Sequence, residues 1–447
     1  MAERQRFTCD WIFDCLVINC DGKVVCGCAD PTGERPVGHI DEAPLKEIWN
    51  NETARAIRRG LNQGYAPFCL ECGLKCPVDE GTPLPQRPET LERLPRIYIE
   101  PTIVCNLDCH RAVCNKSSGI VATRSRKRFP LDEFKRVLAE VGPELYRLDL
   151  FNYGEPFAHP QCVEMIEHVK LEYPHIVVYV STNGLLLDEE KIRRITEAGL
   201  DELTFSVDGT DQASYEVYRC GGDFENVVEL MRIAVEEKKR VGREVPFINW
   251  RYILFRHNDS RRQMTRARRL AEEIGVDRLS WEITDHPDDL ASPRYREGTR
   301  WWKAIEREIW NVTQTGNAIR TRRNLARILV RERVIQAKAG VYTVVGVTIR
   351  NTGGVEWLAT TWGPRRFIRL GVQLHDEQRR PINVDYARTP PPNNLAPGEA
   401  SSFEFGIPAI EQPGTYWLKF DMVSEGVGWF ETGGSKVTWV KMVNSSP

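Results

Sequence analysis

The chain contains no run of 18 or more apolar residues, so no segment is long enough to cross a membrane as a helix. Nor is there an excess of charge of either sign. Lys and Arg number 61 against 63 Asp and Glu, a formal net charge of −2. That balance lacks the basic footprint of a general nucleic-acid binder, and neither nucleic acid nor membrane is expected as a partner. The opening residues lack the apolar segment and small-residue cleavage site of a secretory signal, so a reducing cytoplasmic location is expected. There is no internal repeat, and no low-complexity tract beyond the turn at Pro390-Pro391-Pro392. Cysteine, by contrast, is plentiful and unevenly placed. Of 13 cysteines, only Cys162 and Cys220 lie beyond residue 114. In a reducing compartment such a dense set points to metal or cluster binding rather than disulfides.

At roughly 100–200 residues per domain, 447 residues suggest about three domains. Residues 1–94 are cysteine-rich and irregular, closing on the turn-prone stretch GTPLPQRPETLERLP. Residues 95–290 alternate strand and helix patterns. Ile97–Glu100, Leu148–Phe151, Ile176–Val180, Glu202–Val207, Asn249–Phe255 and Arg278–Ile283 read as strands. Leu131–Val141, Cys162–Leu171, Glu189–Ala198, Phe224–Val235 and Arg261–Ile274 read as helices, with Gly199 capping the third. Strands joined by helical crossovers imply an α/β fold with a parallel sheet. Six such units suggest a partial (β/α)6 barrel of TIM-like form, with chemistry at the carboxyl ends of its strands. Residues 291–335 read as a charged helical connector with Trp301, Trp302, Ile305, Ile309 and Trp310 as its apolar stripe. From 336 to 447 the period becomes two, with strands at 342–349, 366–374, 401–405, 416–423 and 436–440. That spacing predicts an antiparallel β-sandwich.

Directly after the first barrel strand come Cys105, Cys109 and Cys114. Three thiolates on one loop can hold three irons of a four-iron cluster, leaving the fourth iron open to a substrate or cofactor. A structural zinc or plain buried thiols would be the bland alternative, although zinc usually takes four tetrahedral ligands. Further along, Asn152-Tyr153-Gly154-Glu155-Pro156 ends the second strand, Ser181-Thr182-Asn183-Gly184 the third and Ser206-Val207-Asp208-Gly209 the fourth. Arg251 and Asn258 lie on and just after the fifth.

This ordered set resembles the radical S-adenosylmethionine (radical SAM) superfamily. The gap from Cys105 to Cys109 matches the family's; the second gap, His110-Arg111-Ala112-Val113, is two residues longer, and Val113 replaces the usual aromatic. Tyr153-Gly154-Glu155-Pro156 is similar to the family's GGE motif, whose backbone and acid hold the methionine amino group. Ser181-Thr182-Asn183-Gly184 resembles its TNG turn and Ser206-Val207-Asp208-Gly209 its S-x-D-G signature, which implies Ser181, Asn183, Ser206 and Asp208 as cofactor contacts. Arg251 and Asn258 fall where relatives place ribose or carboxylate contacts. The resemblance implies a [4Fe-4S] cluster on Cys105, Cys109 and Cys114. The cluster would reductively cleave SAM to methionine and a deoxyadenosyl radical that abstracts hydrogen from a substrate, with the protein orienting the reactants and excluding water. An electron donor such as flavodoxin or ferredoxin is implied as well.

Ahead of the barrel, Cys9, Cys26, Cys28, Cys69, Cys72 and Cys76 form a second ordered series with Asp21-Gly22-Lys23-Val24, Gly38-His39-Ile40 and Ile48-Trp49. It resembles the SPASM or twitch auxiliary-cluster module of radical SAM maturases, which normally follows the barrel. The implied ligands are Cys9, Cys69, Cys72 and Cys76 with Cys26 or Cys28. Thiolates of this kind serve an iron–sulfur cluster or a structural zinc. Cys15, Cys20, Cys162 and Cys220 read as ordinary thiols. The C-terminal sandwich resembles an immunoglobulin-like module, with Trp357, Tyr416, Trp417, Trp429 and Phe430 as core aromatics or, in a sharper reading, a docking surface. Resemblance to the maturases points to a peptide or protein substrate. A carbohydrate substrate, or a non-catalytic metal-containing binding protein on a degenerate barrel, is the alternative.

Overall fold

The computed structural model describes residues 5–27, 30–110, 114, 116–242, 245–310, 318, 324–354, 356–359, 367–425 and 428–446. These fall into two compact units, Met1–Asp277 with Thr284–Pro293, and Arg278–Ile283 with Arg294–Pro447. No helix among the described residues is long and apolar enough to cross a membrane.

The first unit opens with β1 (Arg6–Thr8), α1 (Trp11–Asp14), β2 (Cys15–Ile18), β3 (Lys23–Val25), β4 (Gly38–His39), α2 (Leu45–Trp49), α3 (Glu52–Asn62) and β5 (Cys76–Val78). An alternating series follows: β6 (Arg96–Ile99), α4 (Leu131–Val141), β7 (Arg147–Asp149), α5 (Cys162–Glu172), β8 (Val177–Thr182), α6 (Glu189–Ala198) and β9 (Glu202–Ser206). It continues through α7 (Gln212–Tyr215), α8 (Phe224–Arg240), β10 (Phe247–Ile253) and α9 (Arg261–Ile274). The helices bury one stripe each. In α4 the stripe is Phe134, Val137, Leu138 and Val141, the three-and-four spacing that places side chains on one face. The helix α6 starts where the Asp188 side chain accepts a bond from the Lys191 amide. It stops at Gly199, whose φ of 87° is the left-handed conformation that glycine adopts without Cβ strain.

Eight strands of this unit form one sheet in the order β10-β9-β8-β7-β6-β2-β3-β4. The pairs from β10 to β6, and β6 with β2, run parallel. The pairs β2–β3 and β3–β4 are antiparallel. Residues 1–94 read from sequence as an irregular module. The structure gives them three strands in the barrel sheet, because Cys15-Leu16-Val17-Ile18 is buried throughout and pairs with Arg96–Ile99. The small pair β1–β5 stands apart and aligns Thr8 with Cys76.

In the second unit, β11 (Arg278–Glu282) forms where the sixth barrel strand is expected, and α10 (Arg300–Ile305) is followed by a single tight turn at Glu306–Glu308. The helical connector read over 291–335 is therefore shorter than expected among the described residues. Ala326–Val330 (β12) is a strand with alternating burial, paired antiparallel with β14 (Thr343–Asn351). Val334–Lys338 (β13) is another. Period-two burial defines these segments, and the arginines around them had masked it. The remaining strands are β15 (Ile368–His375), β16 (Pro381–Thr389), β17 (Ala400–Ile407), β18 (Gly414–Ser424), β19 (Gly428–Trp429) and β20 (Thr438–Ser445). They form one sheet β12-β14-β17 and a second β13-β20-β18-β15-β16, with β19 on β18. One apolar core, including Ile328, Val347, Trp357, Leu370, Phe405, Phe420 and Met442, draws on both sheets.

Candidate functional site

The parallel strands deliver their carboxyl-terminal loops to one end of the sheet, so residues distant in sequence become neighbours. Cys105 and Cys109 follow β6 and are half-buried; Cys114 is buried. Burial pushes the Cys105 thiol up to about 11, with Glu155 and Cys109 adding to the rise. Burial also raises Cys109; Arg219 pulls it back down, and Cys114 and Asp208 oppose that pull. The three thiols thus share one electrostatic neighbourhood. Each has a different polar partner. Asn183 Nδ2 donates to Cys105 Sγ at 3.8 Å, Arg219 Nη1 donates to Cys109 Sγ at 3.9 Å, and Cys114 Sγ donates to Asp108 Oδ1 at 3.3 Å. Val113 lies outside the described residues.

The loop after β7 is pressed against the start of the cysteine loop. A Cβ on Gly154 would lie 2.0 Å from the Thr102 carbonyl oxygen, so only glycine permits this approach. The Glu155 amide donates to the Val104 carbonyl at 2.9 Å. The Glu155 side chain is 2% exposed, and its oxygens accept from Thr182 Oγ1 at 2.6 Å, Asn183 N at 2.7 Å and Phe157 N at 3.2 Å. Burial raises this carboxyl, and those three donors work against the rise. Its immediate task is thus to brace the turn after β8. That turn in turn sends the Asn183 amide to Asn106 Oδ1 at 2.8 Å as well as to Cys105. Tyr153 is half-buried, with its amide 3.5 Å from Glu100 Oε1, and Pro156 is buried at the start of a tight turn.

After β9, Ser206 and Ser181 are buried with their hydroxyls 3.3 Å apart. Asp208 is fully buried. Its Oδ2 accepts from Arg219 Nε at 2.7 Å and its Oδ1 from the Ile253 amide at 2.7 Å. The amide group of Asn258 is committed internally, donating to the Asp208 and Ile253 carbonyls at 3.0 Å and accepting from Phe255 N at 2.7 Å. Arg251 is half-buried on β10, in register with Ser206. Arg219, Asn106 and Asp108 join the same hydrogen-bonded group, and sequence reading does not single them out. The only local hint for Arg219 is a charge between Tyr218 and Cys220 just before a Gly-Gly turn.

A second thiol group sits in the N-terminal part of the same unit. Cys9 and Cys69 are buried, Cys26 and Cys72 half-buried, and Cys76 exposed. Burial raises Cys26 strongly, with Cys69, Cys72 and Cys9 as further contributors. Burial also raises Cys69, to about 12, and Cys9, to about 11, with Cys72 adding to both and Cys76 to the latter. Cys26, Cys69 and Cys72 line a cleft with Gly27, Asp30, Arg35, Phe68 and Leu74, and the Leu74 amide donates to Cys72 Sγ at 3.4 Å. Cys28 lies outside the described residues. Cys15, Cys20 and Cys162 are buried in the fold.

Among the described residues no three His, Cys, Asp or Glu side chains converge on a point suited to a single metal ion. The chemistry of the donor sets fits iron–sulfur clusters: several thiols per group, with N–H groups aimed at sulfur in each. Such donors favour the thiolate form that a cluster requires.

Comparison with known families and proteins agrees with this arrangement. Residues 99–277 match the radical SAM superfamily, and residues 9–73 match SPASM, described as an iron–sulfur cluster-binding domain. A tungsten-containing aldehyde ferredoxin oxidoreductase cofactor-modifying protein of Pyrococcus furiosus is 29% identical over 186 residues, 41% of this chain and 49% of that protein. A GTP 3',8-cyclase of Chlorobaculum tepidum is 30% identical over 135 residues, 30% of this chain and 39% of that protein. A PqqA peptide cyclase of Bradyrhizobium diazoefficiens is 30% identical over 119 residues, 26% of this chain and 29% of that protein. The chain spans half or less of the length of these relatives. Residues 99–277 are a radical SAM domain, and residues 9–73 are an iron–sulfur module of the SPASM type placed ahead of it.

Proposed function

We propose that this protein is a radical SAM enzyme acting on a peptide or protein substrate in the cytoplasm. The observation that carries the reading is the convergence of Cys105, Cys109 and Cys114 with Glu155, Asn183 and Asp208 at successive strand ends. In this reading Cys105, Cys109 and Cys114 hold a [4Fe-4S] cluster, and the second thiol group, drawn from Cys9, Cys26, Cys28, Cys69, Cys72 and Cys76, holds another. When bound, the cluster and SAM supply reductive cleavage of a sulfonium and abstraction of hydrogen from carbon.

The protein supplies the surroundings. Asn183 and Arg219 donate toward the sulfurs of Cys105 and Cys109. Glu155 fixes the Thr182-Asn183 turn, and with it the amide that reaches Cys105. In this reading the loop Tyr153-Gly154-Glu155-Pro156, tied to the cysteine loop by the Glu155 amide, meets the methionine end of SAM. Ser181, Ser206 and Arg251, which cluster through the Ser181–Ser206 hydroxyl pair and the Arg251–Ser206 register, in the same reading contact the remainder of SAM. On this proposal the buried side chains of Glu155, Ser181, Asn183, Ser206 and Asp208 limit water at the reacting centre. The peptide class is supported by the SPASM match and by the similarity to a peptide cyclase; flavodoxin or ferredoxin is the class of electron donor. We read the C-terminal sandwich as immunoglobulin-like, supported by two sheets over one core and by Trp357 packed edge-on against Phe430.

The test is anaerobic reconstitution with iron and sulfide, followed by dithionite and SAM. Deoxyadenosine is expected from the native protein and none from Cys105→Ala. Production unchanged in that variant would place SAM cleavage elsewhere and overturn the reading.

A further inference from the structure

The segment after α7 runs beside the cysteine loop as a strap. The Asp108 amide donates to the Cys220 carbonyl at 3.2 Å, and the His110 amide to the Tyr218 carbonyl at 3.0 Å. Between those two bonds the Arg219 side chain turns inward, 12% exposed. One edge of its guanidinium is locked on Asp208, with Nε at 2.7 Å from Oδ2. Its other arm, Nη1, donates to Cys109 Sγ at 3.9 Å. Asp208 is itself fixed by the Ile253 amide, so the chain Ile253–Asp208–Arg219–Cys109 anchors one sulfur of the loop to the end of β10. The planar fork of arginine suits this double task. Lysine, a single flexible point charge, would satisfy the charge without both directions. His110, the first residue of the long gap, is held as well, its Nε2 lying 3.1 Å from Asp289 Oδ2.

We propose that Arg219 is a positioning residue for the cluster on Cys105, Cys109 and Cys114: held by Asp208, it fixes the Cys109 sulfur and raises the cluster's reduction potential. The inference rests on the radical SAM reading above. Its physical basis is that a positive charge and an N–H bond at a ligand sulfur stabilise the reduced, more negative cluster. Removing them makes reduction harder. The same bond restrains the loop whose second gap is longer than usual, so its loss loosens cluster retention.

The experiment compares native protein, Arg219→Gln and Arg219→Lys, each reconstituted anaerobically. Iron per chain is counted, and the paramagnetic signal that responds to SAM is titrated against potential. For Arg219→Gln the constant for one-electron reduction is expected to fall about tenfold or more, a shift of about 59 mV to more negative potential. Loss of the SAM-responsive centre with retention of the other iron–sulfur signal would equally support the proposal. Arg219→Lys is expected to lie between Gln and native. Equal potentials and iron contents in all three proteins, or a lysine variant no better than glutamine, would overturn it. A native protein with no SAM-responsive signal would instead remove the radical SAM reading, and this inference with it.

Discussion

Gly154 sits where two backbones meet. Any side chain there would drive into the Thr102 carbonyl, the residue that leads into the cysteine loop. Gly154→Ala is therefore expected to do more than strain one loop. Overpacking typically costs about 1–3 kcal/mol, and here the relief is to move Thr102–Val104 away, carrying Cys105 with it. Iron bound after reconstitution should fall in this variant although all ligand cysteines remain; full retention would show that the contact is not rigid. Single residues of this kind were legible when their signature was local. Cys105 and Cys109, Gly154-Glu155 and Ser206-Val207-Asp208 are short strings that sequence alone exposes. Arg219 was not legible, because its partners Asp208 and Cys109 lie 11 and 110 positions away, and only the fold brings them within reach. Asn258 shows the converse: it stands where a contact to SAM is expected, yet its amide group is spent on the Asp208 turn.

At the scale of elements, the barrel strands and helices were readable because burial imposes a period. The sequence expectation for α4, α6 and α9 matches their extents, since each presents an apolar stripe and two of them carry a side-chain cap. The edge strand β16 was not readable: Ile382 and Val384 are each 55% exposed, so no buried face marks it. The strands β2 to β4 were obscured by the cysteines among which they sit. In the sandwich, β18 carries its own titration. Asp421 is fully buried, accepting from the Met422 amide at 2.8 Å and the Glu431 amide at 2.9 Å. Burial pushes its carboxyl from 3.8 to about 7, with Glu431 raising and Lys419 lowering it. His375, also buried, titrates in the same electrostatic neighbourhood, where burial lowers it. The folded state keeps a proton on Asp421 that the unfolded chain gives up near pH 4. Stability from this group is present below that pH and is lost as pH rises to about 7. At about 1.4 kcal/mol per unit, the loss is on the order of a few kcal/mol. Hydrogen exchange of the amides in 414–424 should accelerate from pH 4 to pH 7 beyond the intrinsic chemical rate. Asp421→Asn should remove that excess; an unchanged profile would mean Asp421 is ionised throughout.

At the scale of the molecule, the SPASM-type module precedes the radical SAM domain in sequence, and the structure shows how that order is accommodated. Parallel pairing of β2 with β6 adds the N-terminal strands to the edge of the barrel sheet, so both thiol groups belong to one compact unit. Registered pairing and a shared sheet tie them more firmly than a linker would. The proposed function turns on one iron atom that the three thiolates of the Cys105 loop would leave open. The direct measurement is electron paramagnetic resonance of the dithionite-reduced, anaerobically reconstituted protein, recorded before and after adding SAM. The spectrum of one cluster is expected to change on addition, while in Cys105→Ala no component responds. A native spectrum indifferent to SAM, on protein carrying its full iron, would contradict the proposed function.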